Sequence, residues 1–256
     1  MSAADQTSSD AQILLARINE LAERSLREQQ PQWTDFLDPA EREEAEASLK
    51  WITGVRFNSF GGYSQAERRR LVIYPDYYLV EIIQPQLAFL EIKPTQSNLL
   101  AHRDYLGAVL ALGIKRSKIG DLLVSETAGQ LAIVPDLAEF IAVNLVSVGA
   151  DRVKVSPIDP EQLNLPNRRE KEIRTTVASL RLDALAALGF GESRAKMARE
   201  IKAERVKVNW KPTKSPDLSL KSGDIISIRG RGRVEFRETT GHSKKGRIGI
   251  LLVRLY

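Results

Sequence analysis

The sequence predicts an α+β protein of more than one folded unit, and three observations lead there. Between residues 81 and 157, strand-like and helix-like patterns alternate in the order β-α-β-β-α-β. From residue 179, two short helical stripes precede a small unit of alternating apolar and basic residues. Charge is divided to match: residues 1–167 hold 16 Lys and Arg against 23 Asp and Glu, net −7, whereas residues 168–256 hold 22 against 10, net +12. With 43% hydrophobic residues, the 256-residue chain has enough apolar material for two cores.

Residues 1–80 read as an N-terminal, mostly helical segment. Leu14, Ile18, Leu21 and Ala22 place one apolar stripe on a helix from Ala11 to Arg27. A second helix starts with Asp38 as cap and Pro39 in its first turn, continues from Glu41 to Ile52, and is ended by Gly54. Val55–Phe60 and Arg70–Tyr74 read as strands, with Gly61-Gly62 as a turn.

Residues 81–157 follow with a strand at Leu87–Ile92 and a helix at Asn98–Leu112. A hairpin of Asp121–Ser125 and Gln130–Val134 comes next, then a helix at Asp136–Val146 with Asp136 as its cap, and a strand at Asp151–Ser156. That order is the split β-α-β, ferredoxin-like arrangement that RNA-recognition domains also use. Gln130–Val134 offers no stacking ring, so base stacking on this third strand is not expected. Residues 158–178 read as a proline-containing linker and lead-in.

In the last unit, residues 179–256, Leu182, Leu185 and Leu188 form a stripe, with Gly189 as left-handed cap and Gly191 in a tight reversal. Ser193 is placed to cap a second helix carrying Arg194, Lys196, Arg199 and Lys202. Cations in a first turn oppose the helix dipole, which an anion there would relieve. Val206, Val208 and Trp210 alternate with Lys207 and Asn209 as in a half-buried strand. Gly223-Asp224 turns into Ile225–Arg229; Arg229, Arg231 and Arg233 then alternate with Gly230 and Gly232. Lys244-Lys245 forms another basic tip before a closing strand, Ile248–Leu255. A positive field confined to one segment is the footprint of a polyanion partner. With few aromatics, recognition by phosphate and shape is expected, which favours structured RNA.

Several classes of function are excluded. Zero cysteines remove disulfides and thiolate chemistry, and two histidines, His102 and His242, leave little for a metal centre. No phosphate-binding glycine loop, dinucleotide fingerprint or serine elbow is present. His102-Arg103-Asp104 echoes a kinase catalytic loop, but Val109 stands where that loop needs its metal-binding Asn. No catalytic residue, cofactor or metal is therefore expected. No apolar run is long enough for a membrane span and no leader is apparent, so a cytoplasmic location is expected.

The run from Arg181-Leu182-Asp183 to Arg233 resembles the S4-type RNA-binding domain with its paired-helix motif, on Leu182-Asp183, Ser193-Arg194, Val208-Asn209 and Gly223-Asp224. It departs where Ala203-Glu204 stands in place of the family's usual turn glycine. Upstream, Phe36-Leu37-Asp38-Pro39, Gly61-Gly62-Tyr63 with Ala66-Glu67-Arg68, and His102 to Ala108 resemble the YlmH-like proteins. So do Leu112 to Arg116 and Ile119-Gly120-Asp121. Within them the chain is most similar to the cyanobacterial and plastid branch called photosystem II S4 domain proteins.

The resemblance implies binding to structured ribosomal RNA or tRNA on the large ribosomal subunit; the residues themselves point to a non-catalytic protein, and a monomer is favoured with the oligomeric state left open. The resemblance further implies a role in translation quality control and a link to photosystem II biogenesis. Candidate RNA-binding residues are Arg181, Ser193, Arg194, Lys196, Arg199, Lys202, Lys207, Asn209, Arg229, Arg231, Arg233, Lys244 and Lys245. Gly61-Gly62-Tyr63 with Glu67 to Arg70 is either a second contact or a solvated helix face. Two alternatives stand beside this reading: an RNA-modifying enzyme, such as a pseudouridine synthase or methyltransferase, and a protein or membrane assembly factor.

Overall fold

The computed structural model describes residues 3–96, 99–165, 170–242 and 246–255, with side chains from residue 11 onward. It divides into two compact units, Met1–Pro166 and Asn167–Tyr256.

The first unit opens with helix α1 (Ala3–Glu28), strand β1 (Gln32–Leu37) and helix α2 (Pro39–Leu49), followed by β2 (Val55–Phe60) and β3 (Arg69–Pro75). The three strands form an antiparallel sheet in the order β1-β3-β2. Ile18 and Ala22 of α1 with Ala45 and Leu49 of α2 close over Leu71 and Ile73 of β3 on one face. Val72 and Tyr74 alternate to the other face, beside Trp33, Phe60, Tyr78 and Ile83. Asp38 caps α2 as expected: its Oδ1 accepts from the Glu41 amide at 2.9 Å, and Glu41 accepts from the Asp38 amide at 2.7 Å. The helix stops at Leu49, short of the expected Ile52. Strand β1 adds a sheet to a segment that reads as mostly helical. Its polar start and a bulge between Trp33 and Phe36 hide the alternation.

The same unit continues through β4 (Ala88–Pro94), α3 (His102–Ala111), β5 (Ile119–Val124), β6 (Gly129–Ile133), α4 (Ala138–Asn144), β7 (Ser147–Val148) and β8 (Asp151–Ile158). The sheet order β5-β6-β4-β8-β7 with antiparallel neighbours is the ferredoxin-like topology, extended by the short β7. Tyr105 and Val109 of α3 and Ile141 of α4 share a core with Leu90, Ile92, Leu131 and Ile133. The expected start of α3 at Asn98 lies outside the described residues. Asp136 does not cap α4; it sits in a 3-10 turn, Pro135–Leu137, that precedes the helix.

The second unit comprises β9 (Glu170–Val177), α5 (Leu182–Phe190), α6 (Arg194–Lys202), β10 (Val206–Val208), β11 (Lys211–Pro212), β12 (Ile225–Ile228), β13 (Gly232–His242) and β14 (Ile248–Leu255). Its sheet runs β11-β10-β12-β13-β14-β9. Leu182, Leu185, Met197 and Ile201 pack on Val206, Ile226, Val234, Phe236, Ile250 and Leu252. The stretch read as a lead-in is thus partly a strand: β9 pairs with β14 from Glu170↔Leu255 to Val177↔Ile248. With only Ile173 and Val177 apolar, it is a charged edge strand that composition disguises as linker.

The cap expected of Gly189 falls to Gly191 instead. Gly191, at φ 68°, is the left-handed cap of α5. Gly189 lies inside the helix, where a Cβ would come within 2.5 Å of the Val234 side chain, so its smallness lets β13 approach. Leu188 is not on the buried stripe; it is 37% exposed.

Candidate nucleic-acid interface

The α5–α6 corner assembles four of the expected cations on two carboxylates. Asp183, in the first turn of α5, is nearly buried, and its Oδ1 accepts from Arg181 Nε at 3.2 Å and Arg194 Nη2 at 3.0 Å. Glu192, just past the Gly191 cap, accepts from Lys196 Nζ at 2.7 Å and from Arg231 Nη1 at 3.3 Å. Arg194 and Lys196 share the first turn of α6, which joins the two clusters. Four cations on two carboxylates leave an excess of positive charge, with each side chain still partly open to solvent.

The electrostatics follow from those contacts. Burial pushes the Asp183 carboxyl up, and hydrogen bonds from Arg181 and Arg194 more than reverse this, leaving it below the usual carboxylate range. The hydrogen bond from Lys196 holds Glu192 below its ordinary value, and that to Asp183 raises Arg181 above its own. The carboxylates also relieve the repulsion between the first-turn cations and the helix dipole. Ser193 caps the helix, its Oγ accepting from the Lys196 amide at 3.2 Å. The amides of Arg194 and Ala195 belong to the set an α-helix leaves without an internal acceptor.

The other expected residues spread outward from this corner. Arg199 and Lys202 occupy the last turn of α6, roughly 8 Å along the axis. Lys207 and Arg233 lie in one cross-strand row through Ser227, on the sheet face opposite Val206, Ile226 and Val234, hence away from the helices. Arg229 stands at the β12–β13 turn. Arg199, Lys202, Lys207 and Arg229 are exposed, and their side chains make no hydrogen bond or ion pair among the described residues. The stretch from Arg229 to Arg231 is the turn between β12 and β13: Gly230 and Gly232, at φ 77° and 83°, make a reversal that sends Arg231 toward Glu192, while Arg233, already in β13, lies over the Trp210 ring. Lys244 and Lys245 lie outside the described residues.

The Val-Asn and Gly-Asp signatures form one latch. Strand β10 stops at Val208, and Asn209-Trp210, at φ 49° and 64°, make the tight turn into β11 instead of continuing the strand. Asn209 Nδ2 donates to Asp224 Oδ1 at 2.9 Å, while Asn209 Oδ1 accepts from the Ile225 amide at 2.9 Å. The amide of Asn209 is therefore engaged inside the unit. Glu204 takes the left-handed turn usually given to glycine, at φ 57°.

In the first unit, the Gly-Gly-Tyr and Ile-Gly-Asp motifs meet each other. Asp121 Oδ2 accepts from Tyr63 Oη and from the Glu67 amide, both at 2.7 Å, and Asp121 Oδ1 from the Arg68 amide at 3.0 Å. Arg68 also donates to the carbonyls of Ile119 at 3.1 Å and Phe36 at 2.8 Å. Arg69 begins β3 and Arg70 is buried within it, so this stretch is neither a solvated helix face nor a free basic patch. The non-helical face of the ferredoxin-like sheet is covered by the chain itself. Gly62 lies against the Phe89 ring, Phe36 against Gly120 and Ala132, and Gln130 binds the Gln162 carbonyl at 3.1 Å and the Asn164 amide at 2.6 Å. In the kinase-like triplet, Asp104 accepts from the Ala101 amide at 2.8 Å and Arg103 is exposed. Among the described residues, no group of His, Asp or Glu is arranged to hold a metal, and no helix is long and apolar enough to cross a membrane.

Paired helices laid on a small sheet, with their cations gathered at the second helix's start, define an S4 domain, and residues 180–226 match the model of that domain. Residues 11–78 match the YlmH N-terminal model, and residues 84–162 the model described as a putative RNA-binding domain in YlmH. The chain is 39% identical over 217 residues to the ribosome-associated protein quality control protein P2 of Bacillus subtilis (strain 168), covering 83% of this chain and 82% of that protein. The chain belongs to the YlmH family and carries that family's RNA-binding domains. A solved structure, cell division protein ylmH from Streptococcus pneumoniae, aligns with TM-score 0.49 at 22% identity over 64% of this chain and 97% of that one.

Proposed function

We propose that the protein binds structured ribosomal RNA, without catalysing a reaction on it, through the corner where Arg181, Arg194, Lys196 and Arg231 converge. The observation that carries this reading is the pairing of those four cations on Asp183 and Glu192 at the start of α6. Two carboxylates hold the cations in place before any ligand arrives, so less side-chain entropy is lost on binding. A phosphate at this helix start meets free amides, the dipole and guanidinium forks together. Arg199 and Lys202 extend the track along α6.

The kinship with a ribosome-associated quality control protein supports the ribosome as the site of action; within this proposal the protein acts as a cytoplasmic monomer on the large subunit, with tRNA as a second RNA partner. Overall resemblance, and not any one motif, also places the chain within this proposal in the cyanobacterial and plastid branch called photosystem II S4 domain proteins. Co-sedimentation of the full chain with ribosomal subunits tests the reading: association that disappears after nuclease treatment is expected. Association that survives digestion of the RNA would contradict it.

A further inference from the structure

The first unit holds a cavity of about 470 Å³ between the outer face of the three-stranded sheet and the segment that leads into β4. Trp33 and Tyr78 line it together with Ile82 and Ile83, Arg70 lies within its wall, and Asp136 reaches it from the turn before α4. It is an open cleft rather than an enclosed chamber, with room for one planar ring system between aromatic, aliphatic and polar groups.

Arg70 is unusual there. The residue is only 8% exposed, its Nε donates to the Thr34 carbonyl at 2.7 Å and its Nη1 to the Gln86 carbonyl. Its guanidinium carbon lies 5.5 Å from the Trp33 ring centroid. Nη2 has no partner among the described residues, and no carboxylate is in ion-pair contact with this buried cation. Burial pushes the guanidinium below its ordinary value, opposed by the charges of Asp35 and Asp136. Asp136 is exposed and makes no hydrogen bond among the described residues. Trp33 is fixed from the side by Phe60, with ring centroids 5.6 Å apart. The cavity thus offers a spare donor, a spare carboxylate acceptor and preformed aromatic walls.

We infer that this cavity is a binding site for an unstacked nucleobase, and that guanine is the base it accepts best. Guanine presents acceptors at O6 and N7, which suit a guanidinium, and donors at N1 and N2, which suit a carboxylate. Adenine, cytosine and uracil also present an acceptor beside a donor, but only guanine sets two adjacent donors, N1 and N2, next to its acceptor, so only guanine can engage both oxygens of a carboxylate while O6 meets the guanidinium. The planar body lies against aromatic and aliphatic walls, as in other sites that take a base out of its stack. The base can belong to bound RNA or to a free nucleotide. The first source rests on the RNA-binding reading above; the second does not.

The test uses the full chain carrying Trp51→Phe and Trp210→Phe, which leaves Trp33 as the only indole. Guanosine, adenosine and cytidine monophosphates and a guanine-containing RNA hairpin are titrated against Trp33 fluorescence. Guanosine monophosphate is expected to quench, and Asp136→Asn to weaken it roughly tenfold or more. Tyr78→Ala is expected to weaken all ligands. Response to the hairpin assigns the pocket to RNA, and response to the mononucleotide alone assigns it to free nucleotide; both support the site. No quenching by any ligand, or equal quenching by all three mononucleotides, would overturn it. Arg194→Glu with Lys196→Glu, tested in parallel, abolishes the hairpin response but not the mononucleotide response, so failure of the RNA reading is distinguishable from failure of the pocket.

Discussion

The guanidinium of Arg194 reaches back across the α5–α6 turn to the carboxylate of Asp183, with Nη2 3.0 Å from Oδ1. Through that contact, a residue at the start of one helix sets where the next helix presents its charge. Asp183 is conspicuous in this basic unit because it is almost buried while Arg181 and Arg194 are not.

Replacing Asp183 with Asn should cost about 1 kcal/mol, since the partners are half-exposed and screened. The folded carboxyl lies below its ordinary value, so its contribution is present above the unfolded value and is lost as pH falls through the folded one. Denaturation of wild type and Asp183→Asn should therefore differ at neutral pH and converge well below about pH 4. A constant difference down to acid pH would show that the charge is not the cause.

Gly189→Ala would ordinarily favour a helix, yet here the new methyl meets Val234 at 2.5 Å. A loss of about 1–3 kcal/mol is expected from overpacking. Val234→Ala should restore most of it in the double variant, which a double-mutant cycle measures directly.

Asn209 combines a left-handed backbone with side-chain bonds to Asp224 and Ile225. Asn209→Gly keeps the conformation and loses the bonds, whereas Asn209→Ala loses the bonds and adds strain of about 1 kcal/mol. Hydrogen exchange at β10 and β12 amides should rank wild type as most protected, then Gly, then Ala. Equal exchange in the two variants would remove the backbone from the explanation.

Asp121→Ala should release the 61–68 loop from β5, because two backbone amides and the Tyr63 hydroxyl lose one shared acceptor. A destabilisation of about 2–4 kcal/mol is expected for bonds to a charged group. It is read as faster hydrogen exchange in both segments, with the second unit unaffected.

Much of this fold is legible in residue patterns. The cap at Asp38, the β-α-β-β-α-β alternation and the Ser193 cap all depend on local spacing, and all appear where spacing places them. Strands β1 and β9 do not announce themselves, because each draws its order from a partner distant in sequence: β1 from β3, and β9 from β14. Gly189 and Gly191 look alike on paper and are distinguished only by Val234 arriving from β13. The candidate site shows the same division. That Arg194 and Lys196 share a helix start is readable, but that Asp183 and Glu192 hold them is a tertiary fact. The split of Arg231 from Arg233 depends on two glycines reversing the chain, which simple alternation conceals.

The central claim is that the α6 corner neutralises RNA phosphates, and salt dependence of binding tests it most directly. If about five phosphates are neutralised, log affinity for a structured ribosomal RNA fragment should fall against log salt with a slope of roughly −3.5 to −4.5. Arg194→Glu with Lys196→Glu should lower affinity and flatten that slope by about 1.4 to 1.8. An unchanged affinity and slope in this double variant would contradict the account.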